Sequence, residues 1–241
     1  MTKKHLSVVI PARDEAENLG TLIPYLLQTA GCPIEIVVAT SGQQDIVKLK
    51  TFPEVIIAGG GHRSLALNNG AGAASTDILY FLHADSYPPK NWARQILRQI
   101  NKGALIGTFR MQFDTPNLML RTFCWFTRFR WVWIRFGDQS LYIKKQLFEK
   151  IGGYNEALKI MEDTNIVERA KKFASINVLP TLVTTSARKY KIHGYYRLQL
   201  FYILIVVLYH CGVRQKKLLS VAGRIHRDND PRKTGDRSRR R

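Results

Sequence analysis

The chain has 241 residues, 45% of them hydrophobic and 23% charged, a globular composition that excludes a wholly disordered protein. Its formal net charge of +19 predicts a polyanionic partner, such as an anionic membrane face, a phosphorylated substrate or a nucleic acid. Three scattered cysteines without a CxxC spacing argue against a disulfide framework or a zinc site, and the N-terminus lacks an apolar stretch of signal-peptide length, so we expect a cytoplasmic protein.

Four short apolar runs predict strands in the first part of the chain, since each ends at a polar or glycine-rich turn. They cover residues 6–10, 34–39, 54–58 and 77–84. Apolar residues at helical spacing from 19 to 27 predict a helix after the first strand, which Pro24 should kink or break. Small residues predict a further helix over 66–74. Strands that alternate with helices predict an α/β fold with a doubly wound, mostly parallel sheet.

A polar loop follows each of these strands, with the sequences PARDE, TSGQQD, GGGHRS and HADS. Ligands of doubly wound sheets bind beyond the carboxyl ends of the strands. We therefore expect the four loops to form one site.

The second half of the chain has a different pattern. Alternation over 107–113 predicts a half-exposed strand. Residues 118–135 hold six aromatic residues, four arginines and no acid, and a helix over this range would carry separate basic and aromatic stripes. Residues 198–209 are strongly apolar, but a helix of about 18 Å is too short for a hydrocarbon core of about 30 Å, so we expect an interfacial or packed helix.

These patterns divide the chain into a main domain over 1–194, an apolar helical segment over 195–222 and a disordered basic tail over 223–241. The tail lacks aromatic residues for base stacking and no recognition-helix motif is present, so we expect no nucleic-acid partner. Aromatic and basic residues around the apolar segment favour an anionic membrane surface, which predicts a peripheral protein on the inner face of the cell membrane.

Five residues carry candidate chemistry. Asp85 suits Mg²⁺ or Mn²⁺ bridging a diphosphate, although an aspartate before two prolines is also a turn former. His83 is either a metal ligand or a strand-end histidine bonded to the backbone. Arg63 follows a glycine run and can pair with phosphate, although this is not a Walker loop. Glu162 and Asp163 open a helix, either as N-terminal acids or as a general base.

The order of the motifs is more specific than any one of them. SVVIPARDEAENL (7–19), the pattern R-x-x-A-x-N-x-G-A (63–71), FLHADS, GDQ, the pattern F-x-x-I-G-G-Y-N-E (148–156) and MED follow one another along the chain. This series resembles family-2 glycosyltransferases with the GT-A fold and, within them, a small bacterial subgroup associated with radical-SAM and selenium-domain proteins. The resemblance covers residues 6–194.

The resemblance implies an inverting transfer from a nucleotide-diphosphate sugar, with UDP as the expected nucleotide and Mg²⁺ or Mn²⁺ as the metal. Asp85 corresponds to the second acid of the family's DxD element and is expected to hold the metal. Asp163 corresponds to the general base, with Glu162 beside it. The positions expected to bind the donor are Pro11, Ala12, Arg13, Glu15, Thr40, Asp45, Arg63, His83 and Ala84. The positions expected to line the sugar, diphosphate or acceptor are Gly137, Asp138, Gln139, Arg188 and Tyr190.

Two departures from the family pattern leave an alternative function open. His83 stands where the family has its first DxD acid, and Thr40 stands where the family usually has an acid that contacts the nucleoside. Both changes lower the negative charge of the site, so the alternative is a degenerate member that binds a nucleotide or an anionic membrane without transfer. For an active enzyme we expect a lipid-linked or otherwise hydrophobic acceptor.

Overall fold

A computed structural model describes residues 3–135 and 137–228 of the chain. Within these ranges eight strands form one sheet. The strands are β1 (Ser7–Pro11), β2 (Glu35–Thr40), β3 (Val55–Gly59), β4 (Ile78–Phe81), β5 (Ser86–Tyr87), β6 (Ile106–Phe113), β7 (Leu141–Lys144) and β8 (Asn177–Thr185). The helices are α1 (Ala16–Thr29), α2 (Gln43–Leu49), α3 (Arg63–Ala73), α4 (Trp92–Asn101), α5 (Leu118–Phe126), α6 (Lys145–Lys150), α7 (Glu162–Ala170), α8 (Arg188–His193), α9 (Tyr195–His210) and α10 (Gln215–Asp228). Single 3-10 turns lie at Val132–Ile134 and Gly137–Gln139.

The sheet has the strand order β3-β2-β1-β4-β7-β6-β8-β5. β1 pairs in parallel with β2 and β4, and β2 pairs in parallel with β3. β7 runs antiparallel to both β4 and β6, whereas β8 is parallel to β6 and antiparallel to β5. The predicted α/β class with a mostly parallel sheet is confirmed, and the antiparallel pairings all lie in the half of the sheet beyond β4.

Helices cover both faces of the sheet because its central strands are apolar at nearly every position. Val8 and Val9 are both fully buried, and since successive strand residues point to opposite faces, they belong to two different cores. Val8 packs in the core that includes residues of α1 and α4, and Val9 packs in the core that includes residues of α3 and α7. The carboxyl ends of β1, β2, β3 and β4 thereby meet at one edge.

Helix α1 runs without interruption through Pro24, so the predicted break does not occur. Pro24 lies on the exposed face of the helix, where the carbonyl group that it leaves unpaired can be hydrated. The opposite face carries the buried leucines of the first core, and this burial holds the helix together across the proline.

A helix covers only the first half of residues 118–135, because α5 ends at Phe126. The Thr127 hydroxyl donates to the Cys124 carbonyl at 2.6 Å and accepts the Met111 backbone N–H at 3.3 Å. These bonds tie the chain to β6 at the point where the helix stops. The aromatic and basic residues after Phe126 therefore lie on turns and not on two helical stripes.

The apolar run 198–209 lies within α9, and none of the helices described in the structure is long and apolar enough to cross a bilayer. Helix α10 continues to Asp228, so the first residues of the predicted disordered tail, 223–228, are helical. The rest of that predicted tail, 229–241, lies outside the described residues.

Candidate active site

Asp45, in the first turn of α2, braces the loop that follows β1. Its carboxylate is fully buried and accepts the backbone N–H groups of Asp14 and Glu15 at 3.1 and 2.8 Å. The hydroxyl of the buried Thr40 donates to the same carboxylate at 2.8 Å. Asp45 and Thr40 were both expected to bind the donor. Their side chains are bonded to the protein itself, and Asp45 holds the loop after β1 in place.

Arg63, the first residue of α3, joins the loops after β3 and β4 to the start of α7. Its Nε lies 2.6 Å from Glu162 Oε1, and its Nη2 lies 3.0 Å from Asp163 Oδ2. Nη2 also donates to Nε2 of His83. Burial lowers the pKa of Arg63, but the two carboxylates outweigh burial and raise it, so the guanidinium stays charged. A predicted phosphate-binding arginine, a predicted base and a predicted metal-site histidine are thus in direct contact.

His83 is a neutral imidazole in this arrangement. Burial, Arg63 and Lys189 together hold its pKa well below the usual value. Its Nδ1 lies 3.3 Å from Asp138 Oδ1, and a neutral ring that accepts from Arg63 at Nε2 must carry its proton at Nδ1. The contact with Asp138 is therefore a hydrogen bond from Nδ1–H to a carboxylate and not a salt bridge.

Glu162 and Asp163 share one guanidinium at the N-terminus of α7. Burial and, next to it, the neighbouring Asp163 carboxylate raise the pKa of Glu162 to about 7, although Arg63 opposes both effects. Two carboxylates that face a single cation in a dry site do not both ionise easily. Glu162 therefore holds a proton up to near-neutral pH.

Gly137, in the 3-10 turn before β7, closes over this cluster. A Cβ at this position would lie 2.5 Å from Asp163 Oδ2 and closer still to His83 Nε2 and Arg63 Nη2. The cavity that remains measures about 10 Å³, which is room for one water molecule. The turn and Arg63 therefore fill most of the space at the cluster. The lining of this cavity includes Pro11, Arg63, His83, Gly137, Tyr154 and Asp163.

The pattern R-x-x-A-x-N-x-G on α3 has a structural explanation beyond Arg63. The Asn68 side chain accepts the Tyr154 N–H at 2.8 Å and donates to the Tyr154 carbonyl at 2.9 Å. A Cβ on Gly70 would overlap Val9 Cγ1, so glycine lets α3 lie close against β1. Tyr154 is buried beside Asp163, and burial followed by that carboxylate raises its pKa well above normal. Tyr154 belongs to the IGGYNE motif, but nothing in the sequence indicated its place beside the base.

The metal-site prediction rests on Asp85, with His83 at the first position of the family's DxD element. Asp138 lies against His83, and burial raises its pKa, with Asp85 and Asp163 adding to the shift and Lys189 and Arg63 opposing it. Across residues 3–135 and 137–228, no three His, Cys, Asp or Glu residues converge into a ready metal centre. Mg²⁺ and Mn²⁺ can bind through one or two protein groups, since such ions keep their other positions for phosphate and water.

Gln139 supports the 3-10 turn and does not face an open site. It is fully buried and accepts from Nη1 of Arg135, which is itself 1% exposed. Nη1 also donates to the Thr127 carbonyl at 2.9 Å, and the Thr164 hydroxyl donates to the Arg135 carbonyl at 2.8 Å. Burial lowers the pKa of Arg135 to about 10. Nothing in the sequence distinguishes this arginine, which ties the turn to α7, from its basic neighbours.

The predicted donor residues of the first and fourth loops are only partly brought together. Pro11 lines the small cavity beside Arg63. Arg13 is exposed, whereas Ala12 is buried and bonded to the Ala39 carbonyl at 3.0 Å. Ala84 is buried in the core that contains Val8, so it points away from the site.

The two predicted residues of the RKY element separate. The Arg188 guanidinium lies 3.9 Å from Glu15 Oε1 and is 59% exposed, so it stands at the rim of the donor loop. Tyr190 is buried among aromatic residues, and its hydroxyl donates to Gln199 at 2.8 Å. Tyr190 therefore occupies a core position. It lies two residues after Arg188 on α8, and side chains two residues apart on a helix point to different faces.

Comparisons with known proteins identify the class that this fold and site define. Residues 7–155 match the family described as glycosyl transferase family 2. A mannosyltransferase from Pyrobaculum calidifontis, solved with GDP-Man and Mn²⁺, superposes with a TM-score of 0.67 at 15% identity, over 93% of this chain and 71% of that one. TarS 1–349 from S. aureus superposes with a TM-score of 0.59 at 16% identity, over 85% of this chain and 65% of that one. The same protein in complex with UDP-GlcNAc gives a TM-score of 0.56 at 16% identity, over 76% and 58%.

At these identities the solved structures show the fold alone, and the chain spans 65% and 58% of the two TarS 1–349 structures. Searched by sequence, the curated proteins gave no match. The fold is that of a GT-A glycosyltransferase. More particularly, the chain belongs to glycosyltransferase family 2, whose match covers more than half of it.

Proposed function

We propose that the protein is an inverting, metal-dependent glycosyltransferase that transfers a sugar from a nucleotide-diphosphate sugar, with UDP the first nucleotide to test. The observation that carries this proposal is the contact of Asp163 with Arg63, which also binds His83, at the carboxyl edge of the sheet. A family-2 site needs a base, a cation for the diphosphate and a metal ligand, and our candidates for these roles are Asp163, Arg63 and Asp85, with His83 beside Asp85 in the sequence.

The residues present fit a divalent metal held by Asp85, with His83 beside it. When bound, Mg²⁺ or Mn²⁺ supplies positive charge against the developing charge of the leaving diphosphate. Arg63 adds a second cation there once it turns from the carboxylates to the diphosphate oxygens. That movement also frees Asp163 from its ion pair.

Asp163 then takes the proton of the acceptor hydroxyl. The acceptor oxygen forms its bond to the anomeric carbon as the bond from that carbon to the diphosphate oxygen breaks. Attack from the opposite face inverts the configuration, so no covalent enzyme intermediate and no nucleophilic Ser or Cys is required. Before that movement, Glu162 holds Arg63 through Nε and keeps the guanidinium beside Asp163.

Two substitutions separate metal binding from base catalysis. Asp85→Ala should abolish Mn²⁺-dependent nucleotide binding in calorimetry, whereas Asp163→Asn should keep binding and stop transfer. Asp77→Ala, an exposed residue just before β4, is the matched control and should change neither. Equal loss of binding in the Asp85 and Asp163 variants would contradict the assigned roles.

The acceptor and the location follow from chemistry outside the cluster. We propose a lipid-linked or otherwise hydrophobic acceptor and a peripheral enzyme on the cytoplasmic face of the membrane, because the chain combines a charge of +19 with exposed aromatic residues. A degenerate member that binds nucleotide without transfer is the second candidate. This candidate is favoured by Thr40, which stands where the family usually has an acid and whose hydroxyl donates to Asp45.

A further inference from the structure

The end of α5 and the chain after it expose a set of aromatic rings that pack on one another. Phe129 and Trp131 stack with centroids 4.8 Å apart, Trp131 lies 5.7 Å from Trp133, and Trp125 lies 5.1 Å from Phe129. Trp125, Trp131 and Trp133 are nevertheless 47%, 44% and 53% exposed. We call Trp125, Phe126, Phe129, Trp131 and Trp133 the aromatic patch. Soluble proteins seldom expose such a set without a partner for it.

Helix α9 exposes a second apolar surface. Its exposed large residues recur at helical spacing and form one stripe, namely Tyr196, Leu200, Ile203, Leu204 and Val207. Leu198, on the opposite face of α9, belongs to the same small core as Leu120 of α5 and Tyr190 of α8. The stripe and the aromatic patch therefore belong to neighbouring elements held together by that core.

Basic residues outnumber acids in the sequence around both surfaces, although Glu168 of α7 contacts Tyr209 and His210 at the end of α9. The sequence contains no acid between Asp114 and Asp138, a range that includes the whole aromatic patch, and none between Glu168 and Asp228, a range that includes α9. The exposed Arg128 lies over the Trp125 ring, with its Cζ 4.2 Å from the ring centroid. Tryptophan prefers the membrane interface and arginine prefers anionic headgroups, so this combination fits the surface of an anionic bilayer.

We propose that the aromatic patch and the α9 stripe dock the protein on an anionic phospholipid bilayer, with the three tryptophans inserted at the headgroup level. The positive charge around the surfaces decides between possible occupants. A second copy of the chain would bring the same arginines face to face, whereas anionic headgroups neutralise them. The inference deepens the proposed function, since it names the surface through which the enzyme would reach a lipid-linked acceptor. Membrane docking does not depend on that function, but its link to catalysis rests on it.

The tryptophans themselves provide the test. Three of the four tryptophans lie in the patch, and the fourth, Trp92, is fully buried. The full chain should show a blue-shifted emission with phosphatidylglycerol vesicles, and lipids brominated on their acyl chains should quench it. Phosphatidylcholine vesicles should give a much smaller change, and added salt should reduce the change with anionic vesicles. The assay uses neither nucleotide nor metal, so failure here leaves the donor-site proposal untouched.

A variant pair checks the assignment of the surface. The double substitution Trp131→Ser and Trp133→Ser should weaken partitioning to anionic vesicles by about tenfold or more, because two large rings no longer insert. Val47→Ser, which removes a 63% exposed valine on α2, should leave partitioning unchanged. Binding to vesicles without a change in emission would overturn the proposal, as would a blue shift that depends on protein concentration in the absence of lipid. Should the double variant fail to fold, the quenching of the unaltered chain decides.

Discussion

Gly137→Ala is the perturbation that probes the cluster most directly. The new Cβ would lie 2.5 Å from Asp163 Oδ2 and closer to His83 Nε2 and Arg63 Nη2. An ordinary contact of a carbon atom is about 3.5 Å, so the three polar groups must each retreat by about 1 Å. All three are the ends of side chains, and the fold can therefore accommodate the methyl group at a cost of about 1–3 kcal/mol.

The catalytic cost should be larger than the cost in stability. A displacement of about 1 Å in a reacting group lowers a rate by roughly 10²-fold. We therefore expect Gly137→Ala to fold and to release nucleotide from a UDP- or GDP-sugar about 100-fold more slowly than the unaltered chain. Mn²⁺-dependent binding of the nucleotide should weaken as well, because His83 is one of the displaced groups.

Gly72→Ala is the matched control. Gly72 lies near the end of α3, and no atom lies within 4 Å of the position that a Cβ would take there. Replacing a helical glycine by alanine stabilises by about 0.5–1 kcal/mol. Nucleotide release should be unchanged in this variant, and thermal unfolding should verify that both proteins are folded. A Gly137→Ala protein with the unaltered rate would refute the contact of the turn with the cluster.

Two further predictions concern the same elements. Because the pKa of Glu162 is raised from 4.5 to about 7, this residue contributes stability below about pH 4.5 that is lost as the pH rises through about 7. Urea unfolding at pH 5 and pH 8 should show a smaller pH difference in Glu162→Gln, and an equal difference would exclude the raised pKa. Gly70→Ala should destabilise by about 1–3 kcal/mol through overlap with Val9, whereas Gly72→Ala on the same helix should not, and equal unfolding midpoints would contradict the packing.

The residue types and their loops could be predicted from the sequence because strand order constrains where loops meet. The carboxyl ends of parallel strands share one edge, so Arg63 and His83 could be assigned to one site before any distance was known. The partner of Arg63 could not be predicted, since Asp163 lies 100 residues away and the pairing depends on how α7 meets the sheet.

Some residues have surroundings that differ from those predicted, because the sequence pattern does not show tertiary contacts. Tyr190 and Arg188 are two residues apart, yet one is in a core and the other at the rim, because α8 turns them to different sides. Asp45 has the chemistry of a ligand-binding acid, but its carboxylate accepts hydrogen bonds from two backbone N–H groups and from the Thr40 hydroxyl. The end of α5 depends on a bond between Thr127 and a residue of β6, which no periodicity in 118–135 reveals.

Calorimetry decides whether this cluster binds a nucleotide with a divalent metal. UDP and then GDP should be titrated into the full chain with and without Mn²⁺. We predict that one nucleotide binds, that its binding requires the metal and that binding is lost in Asp85→Ala. If neither nucleotide binds in the presence of Mn²⁺, the proposed donor site is contradicted, and of the alternatives only a degenerate member that binds an anionic membrane remains.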